Sequence, residues 1–473
     1  MPMNIVLCAA EVVPFAKVGG LADVMGSLPK ALAEIELTPT IVMPRYGLID
    51  PEKWNLVKTE YAYGVELDDK AYNIEVLKGA LPGTEVPVYF IENTEMFGRD
   101  SVYPYGQAEL EINSFRLLGK ALFGLLERLN LFPEILHLHD WHTAPIALEL
   151  NEKRKNDPRY ASVRSVFTIH NLAYQGVYGD TNWLREGLSN ADALTTVSPT
   201  YAREIQTAEF GEGLESLLQK RSKDLHGILN GIDMALLNPK TDHFIPAHYD
   251  ATHFAAGKAT CKEALQKELG LPLEPETPLF GFVSRLVDQK GLDIMMPAIH
   301  QLIEKLGGSE KSQKSFQFAI LGSGEPRYEE QLKEINAQYP HIRTFIGFNL
   351  AMAQKIYSGS DFFIMPSAFE PCGLGQMIAL RYGSIPVVRS VGGLADTVFD
   401  VREKKDGNGF CFKDYTAEAF CDTMLAAIDY YKKQSEFSSL VTRALSEDFG
   451  WQKSAKTYQE LYQSLSKKAP VSV

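Results

Sequence analysis

The sequence predicts an α/β protein made of two Rossmann-like lobes, each a doubly wound, mostly parallel sheet. Three observations carry this. Short apolar, β-rich runs alternate with longer helical patterns; the alternation breaks once and restarts; and one hexapeptide occurs twice, each time between a strand and a helix. In the first half the runs Ile5–Ala10, Thr40–Met43, Val86–Ile91, Ile135–Leu138, Val163–Ile169, Ala193–Val197 and Leu225–Leu229 read as strands. They are apolar without alternation, as parallel strands covered on both faces must be. Helical patterns fall between them at Leu21–Glu34, Asn113–Leu129 and Ala144–Arg154. The polar, Pro- and His-containing stretch Asn238–Thr252 breaks the pattern and predicts a link between lobes.

Beyond it the alternation resumes, with strands at Leu279–Val283, Phe316–Leu321, Thr344–Ile346, Phe362–Met365 and Ile385–Val388. Helices are expected at Leu292–Leu306, Tyr328–Gln338, Ala351–Tyr357, Leu374–Tyr382, Ala417–Lys432 and Gln452–Lys467. The expected domains are therefore 1–240, 253–450, and a C-terminal helical segment 451–473 packing back toward the first lobe. The repeat is Val18-Gly-Gly-Leu-Ala-Asp23, which recurs letter for letter as Val391-Gly-Gly-Leu-Ala-Asp396; only the first copy is preceded by a cation, Lys17 against Ser390. Ligands of such folds meet the carboxyl ends of the strands.

The chain has 473 residues, enough for two or three domains at about 100–200 residues each. Its formal net charge of −13, from 47 Lys+Arg against 60 Asp+Glu, disfavours a phosphate backbone and hence nucleic acid as partner. A nucleotide, needing only local cations, and a neutral polymer both remain compatible. The five cysteines are scattered and lack C-x-x-C spacing, which argues against a disulfide framework or zinc site and for a reducing compartment. No apolar run approaches the ~18 residues of a membrane span. A strand-like run begins at Asn4, so a cytoplasmic protein is expected, although a plastid chain already trimmed of its transit peptide would read the same.

Five motifs carry chemistry. Lys17-Val-Gly-Gly-Leu21 places glycines and a cation at a helix start, either as an anion site or as a glycine turn with a solvated lysine. It matches neither a dinucleotide fingerprint nor a P-loop. His137-Leu-His-Asp-Trp-His142 ends a strand; H-x-H alone is a weak metal signal, and a polar sugar-binding cluster with Trp141 as an apolar platform is the preferred reading. Thr168-Ile-His-Asn171 also ends a strand, with His170 either structural or functional. Ser284-Arg-Leu-Val-Asp-Gln-Lys-Gly291 sets Arg285 and Lys290 beside a helix start, as a diphosphate clamp or as surface cations. Phe369-Glu-Pro-Cys-Gly-Leu374 forces a turn that presents Glu370 and backbone N–H groups; Cys372, without a partnering base, reads as a small packed group. No carboxylate dyad or G-x-S-x-G elbow stands out.

Taken together, K-x-G-G-L, H-x-H-D-W-H, S-R-L-x-x-Q-K-G and F-E-P-C-G-L, in this order and spacing, resemble bacterial glycogen synthases and plant starch synthases from Asn4 to about Tyr462. The tail Gly375–Gly383 is similar to the plant soluble-synthase branch and its cyanobacterial relatives. The resemblance implies a GT-B fold, ADP-glucose as donor and co-substrate, an α-1,4-glucan acceptor, retention of anomeric configuration, and neither metal nor other cofactor. It implies that Lys17, Gly19 and Gly20 face the distal phosphate and glucose, and that Arg285 and Lys290 hold the diphosphate. It puts His170 beside the anomeric carbon, its backbone carbonyl or its ring near the transferring sugar, and has Glu370 binding glucose hydroxyls near the amides of Cys372, Gly373 and Leu374. Asp140 would touch glucose or acceptor, Asp23 and Asn230 would complete the sugar pocket, Phe348 would stack on adenine, and Tyr103 or Tyr105 would line the acceptor groove. Asn171 and Gly322 are further substrate-binding positions it implies. Three positions depart from the family pattern: Gly375 where Thr is usual, Phe348 where some relatives have Tyr, and Val18 where many bacterial enzymes have Thr or Ser. None removes a charge the chemistry needs. The rival readings are a GT-B transferase using UDP-glucose, a non-catalytic glucan-binding relative, and, disfavoured by the missing fingerprint, a dinucleotide oxidoreductase.

Overall fold

A computed structural model describes residues 2–467 of the chain. It divides into two compact units, residues 2–231 with 451–467, and residues 232–450. The strands in chain order are β1 Asn4–Cys8, β2 Thr38–Pro44, β3 Val57–Leu67, β4 Lys70–Ala80, β5 Pro87–Glu92, β6 Ile135–His139, β7 Arg164–Ile169, β8 Val177–Tyr178, β9 Thr181–Asn182, β10 Ala193–Thr196 and β11 Leu225–Gly227 in the first unit. In the second they are β12 Leu279–Leu286, β13 Gln317–Gly324, β14 Ile342–Ile346, β15 Phe362–Met365, β16 Ile385–Arg389 and β17 Phe410–Phe412.

The sheet of the first unit runs β11-β10-β7-β6-β1-β2-β5-β4-β3. Its pairs from β11 through β5 are parallel, and β5-β4 and β4-β3 are antiparallel. The parallel strands β1, β6, β7 and β10 are buried almost throughout, which is why they read as unbroken apolar runs. The hairpin β3–β4 is an addition to the expected set. Its strands alternate between exposed and buried residues, and its two-residue turn, Asp68-Asp69, has both φ angles positive, at 47° and 60°. That is the geometry of a type I′ hairpin turn, whose twist matches the flanking strands.

The sheet of the second unit runs β14-β13-β12-β15-β16-β17, all parallel. In each unit the strand order reverses beside the first strand, between β1 and β6 and between β12 and β15. These switch points are where open α/β sheets leave a crevice at their carboxyl ends. The expected helices are present, from Gly20–Glu34 to Gln452–Ser466, and further ones, the longest being Ala255–Leu269 and Gln434–Ser446, pack in the second unit.

The stretch expected as a link is instead built into the second unit, which begins at Ile232 rather than after 240. Tyr249 donates its hydroxyl to the Tyr382 carbonyl at 2.8 Å, and the Tyr382 hydroxyl donates to Asp242 Oδ2 at 2.6 Å. Buried tyrosines and an aspartate that satisfy one another make this irregular segment part of the packing. The C-terminal helix Gln452–Ser466 belongs to the first unit: Gln459 Nε2 donates to the Ile35 carbonyl at 3.2 Å, and Tyr462 bonds His137 from within the core. The last part of the expected segment 451–473 lies outside the described residues.

Candidate active site

In the first unit, loops after four parallel strands carry the predicted polar residues: Lys17 after β1, Asp140 after β6, His170 and Asn171 after β7, and Asn230 after β11. Glu11, which the motif reading passed over, organises the glycine loop. Its Oε2 accepts the amides of Val18 at 2.5 Å and Gly19 at 2.8 Å, and its Oε1 accepts the hydroxyl of Tyr103. The carboxylate is 3% exposed. The amides of Val18 and Gly19 are therefore already engaged, and the anion-binding capacity of this helix start rests on Gly20 and the residues after it. A Cβ on Gly19 or Gly20 would meet nothing within 4 Å, so the loop surface is open. Lys17 is half-exposed and pairs with Asp23 at 2.7 Å.

The second copy of the hexapeptide has a different environment. A Cβ on Gly393 would lie 2.0 Å from the Cys372 carbonyl oxygen, and the Gly393 amide donates to the Glu370 carbonyl at 3.0 Å. The identical letters thus make an open loop once and a packed contact once.

The histidine cluster divides by direction. His137 is buried between Thr168 Oγ1, at 2.6 Å from its Nε2, and the Tyr462 hydroxyl, at 2.8 Å from its Nδ1. His139, equally buried, meets His170 with its Nδ1 2.9 Å from His170 Nε2. Trp141 is 6% exposed, packed edge-on against Phe115 and so close to Gly176 that a Cβ there would sit 2.2 Å from the indole. It is a core residue and not the open platform expected. The aromatic that stacks on this cluster is Tyr103, 5.0 Å from His142, while the exposed neighbour is Tyr105.

Asp140 has φ 56°, a left-handed conformation costly for a residue with a side chain. The conformation turns its carboxylate back onto β7, where Oδ1 accepts the His170 amide at 2.8 Å. Asn171 Oδ1 caps its own turn through the Ala173 amide at 3.1 Å. The side-chain oxygen of Asn230 is buried with no partner among the described residues.

Burial sets the protonation states here. It pushes His137, His142 and His170 down to about 3 and His139 well below its ordinary value, so all four are neutral in the folded chain. Burial pushes Asp140 up to about 7, against the lowering effect of the His170 and Asn171 amides. The signs oppose. A histidine whose folded pKa is depressed contributes stability above its unfolded value of ~6.5 that is lost as pH falls. Asp140, with a raised pKa, contributes stability at low pH that is lost as pH rises toward 7. Four histidines outweigh one aspartate, so the chain is expected to lose stability as pH drops below about 6.5. His142→Gln should flatten that slope by about 1.4 kcal/mol per pH unit between pH 6 and 4. Urea midpoints measured across this range check it; a variant as steep as the parent would show that His142 is charged in the folded chain.

In the second unit, Arg285 lies near the end of β12 and Lys290 in the turn Asp288–Lys290 that follows. Lys290 does not stand free: its ammonium donates to Glu370 Oε2 at 2.6 Å, with side chains 16% and 7% exposed. Ser367 donates to the same oxygen at 2.9 Å. Arg285 is held by Gln289 Oε1 at 3.3 Å, and the Gln289 carbonyl accepts the Ala368 amide at 2.9 Å. The turn is locked by Gly291, at φ 74°, where a Cβ would come 2.0 Å from the Pro366 carbonyl. The two motifs that read as separate, clamp and sugar binder, are one cluster. Gly322 on β13 lies opposite Ser284, whose carbonyl would be 2.3 Å from a Cβ there. Phe348, after β14, is 88% exposed and so has a free face for a planar ring. Cys372 and Gly373 are buried and Leu374 half-buried in the turn before the helix Gly375–Arg381.

Elsewhere in the first unit lies a surface cavity of about 630 Å³, lined by residues including Arg116, Lys120, Glu149 and Trp183. It shares no residue with the strand-end cluster. Among the described residues, no group of three or more His, Cys, Asp and Glu side chains is placed to hold a metal ion. Among the same residues, no helix is long and apolar enough to cross a membrane.

Comparison with known proteins places this geometry. Residues 4–220 match the starch synthase catalytic domain family, and residues 277–429 match the glycosyl transferases group 1 family. The catalytic domain of starch synthase IV from Arabidopsis thaliana, solved bound to ADP and acarbose, superposes with a TM-score of 0.89. It is 36% identical, over 99% of this chain and 100% of that one. Sucrose-phosphate synthase from Thermosynechococcus elongatus shares the fold at TM-score 0.62 and 16% identity, over 98% and 99% of the two chains. The two parallel-sheet α/β units are those of a GT-B glycosyltransferase. Among full-length relatives, the glycogen synthase of Moorella thermoacetica is 41% identical over 99% of this chain and 98% of its own. That of Bacillus anthracis is 40% identical over 98% and 100%. The chain belongs to the glycogen and starch synthase family of glucosyltransferases.

Proposed function

We propose that the chain elongates an α-1,4-glucan at its non-reducing end with glucose from ADP-glucose, retaining the anomeric configuration. The observation that carries the site reading is the Lys290–Glu370 pair with Arg285 beside it, at the switch point of the second unit. Arg285 and Lys290 supply cations for a diphosphate, and the carboxylate is within reach of whatever the lysine holds. Family membership, and the ADP and acarbose bound to the plant relative, support nucleotide sugar and glucan as the substrates.

In the reaction proposed, the bond between glucose C1 and the diphosphate oxygen breaks as the acceptor O4 forms a new bond to C1 from the same face. The acceptor's proton passes to the leaving phosphate. Lys17, Arg285 and Lys290 neutralise the charge that builds on that phosphate, and removing one such preorganised donor costs on the order of 2.7–4 kcal/mol. Asp140 and Asn230, with Asp23, Asn171 and Gly322, bind the sugar; Phe348 stacks on the adenine; Tyr103 or the exposed Tyr105 lines the acceptor groove. The amides of the Cys372-Gly-Leu374 turn lie near the glucose, beside Glu370.

Incubation with ADP-[¹⁴C]glucose or UDP-[¹⁴C]glucose and glycogen tests the donor. A higher kcat/KM with ADP-glucose is expected; equal or better use of UDP-glucose overturns the assignment. Activity is also expected to survive exhaustive EDTA treatment and dialysis, because the charges on Lys17, Arg285 and Lys290 take the part played elsewhere by Mg²⁺. Loss of activity that Mg²⁺, Mn²⁺ or Zn²⁺ restores would refute that part of the reading.

A further inference from the structure

We propose that His139 is a positioning residue that holds His170 as the neutral Nδ1–H tautomer, so that His170 meets the transferring glucose as a hydrogen-bond donor and not as a base. The proposal rests on the reading of His170 as the sugar-facing residue of the first unit. It starts from one contact: His139 Nδ1 and His170 Nε2 are 2.9 Å apart, close enough that one carries a proton and the other accepts it.

Which nitrogen carries the proton follows from what the remaining nitrogens meet. His139 is 0% exposed and its Nε2 has no hydrogen-bond partner among the described residues. Were His170 the donor, His139 would accept at Nδ1 and, being neutral, would carry its own proton at Nε2. That would leave an N–H inside the core with nothing to receive it. With His139 donating from Nδ1, Nε2 is a bare ring nitrogen, and a buried lone pair is tolerated more readily than an orphaned N–H. His139 is thus the donor, and His170 Nε2 is the acceptor. A neutral His170 then has its proton on Nδ1, which no protein group engages among the described residues. Burial keeps both rings uncharged at physiological pH, so the choice is between tautomers and not between charge states.

The neighbours fix His139 as firmly as it fixes His170. Its ring lies 4.2 Å from that of His137, which is itself held at both nitrogens by Thr168 and Tyr462. The line from the C-terminal helix to the loop after β7 is therefore Tyr462, His137, His139, His170, the last link a hydrogen bond and the middle one a stacking contact. The backbone of His170 is pinned separately by the Asp140 carboxylate. The side chain thus needs a constraint of its own, and His139 provides it. A His170 that presents Nδ1–H has no lone pair at that atom to accept a proton, which suits a reaction whose proton goes to the departing phosphate.

The test uses the full chain labelled with ¹⁵N-histidine, the His170 signals being assigned from their absence in His170→Gln. Long-range ¹H–¹⁵N correlation spectra should show a pyrrole-type Nδ1 and a pyridine-type Nε2 for His170. In His139→Leu the His170 signals should shift toward a mixture of tautomers, and kcat should fall about tenfold or more with donor KM changed less than threefold. His139→Asn, whose amide N–H₂ sits near the place of the lost Nδ1–H, should restore the tautomer and most of kcat. Pyrrole-type Nε2 on His170 in the parent chain overturns the proposal, as does an unchanged tautomer in His139→Leu. If His139→Leu is too unstable to study, His139→Asn and the parent spectrum decide alone. Because the spectra do not depend on turnover, a wrong tautomer and a wrong assignment of the reaction are distinguishable.

Discussion

Lys290→Met is expected to lower kcat by a factor on the order of 10²–10³, the loss typical of one preorganised charge-stabilising donor. It should also destabilise the second unit by about 3 kcal/mol, the low end for breaking a buried ion pair, since both side chains are nearly buried, at 16% and 7% exposure. The two losses have different origins and can be separated. Removing the lysine alone strands the Glu370 carboxylate with only the Ser367 hydroxyl for company. Adding Glu370→Gln removes that stranded charge, so Lys290→Met/Glu370→Gln should recover much of the stability and none of the activity. Glu370→Gln alone should keep the lysine in place through a hydrogen bond from its ammonium to the amide oxygen, and lose activity through the altered contact to sugar hydroxyls. Thermal melts and steady-state kinetics on the four proteins complete the cycle. A Lys290→Met protein with parental kcat would remove this lysine from the chemistry, and a double variant that regains activity would show that its role is only to neutralise Glu370.

That coupling was invisible in the sequence, and the reason is distance along the chain. Lys290 and Glu370 stand 80 residues apart, and each belonged to a motif with a self-sufficient local reading. The parallel strands were legible because burial on both faces leaves unbroken apolar runs, and the strand-end motifs were legible because glycine and proline mark the turns that follow. The edge hairpin β3–β4 was missed for the converse reason. A half-exposed antiparallel strand alternates and leaves no unbroken apolar run; its Asp68-Asp69 turn was the available signal. Glu11 had no such signal. A lone acid three residues past a strand organises the glycine loop by accepting the Val18 and Gly19 amides, and its other oxygen is held by Tyr103, 92 residues away. The hexapeptide repeat shows the same limit from the other side. Its letters are identical, yet Gly20 is open and its counterpart Gly393 is wedged against the Cys372 carbonyl. The letters specify a turn into a helix; what the turn faces is decided by the rest of the sheet.

Lys17 is the residue whose replacement should separate chemistry from folding most cleanly. Its side chain is half-exposed and its partner Asp23 is about a third exposed, so the pair contributes little to stability in water. Lys17→Ala should leave the melting temperature nearly unchanged, within the ±0.5 kcal/mol usual for surface substitutions. The loop itself is held without it, because Glu11 fixes the amides of Val18 and Gly19. The ammonium is therefore free to be drawn from Asp23 to a phosphate, and its effect should be greatest when charge builds on the leaving group. The loss is expected in kcat, again by a factor on the order of 10²–10³. The donor KM should move less, since Arg285 and Lys290 bind the ground-state diphosphate in the proposed reaction. Lys17→Arg should rescue only in part: a planar fork does not replace a compact ammonium beside two glycines that leave room for close approach. Steady-state kinetics and a thermal melt on the same samples decide. A Lys17→Ala protein with near-parental kcat, or one inactive only because it is unfolded, would move the charge requirement away from this loop.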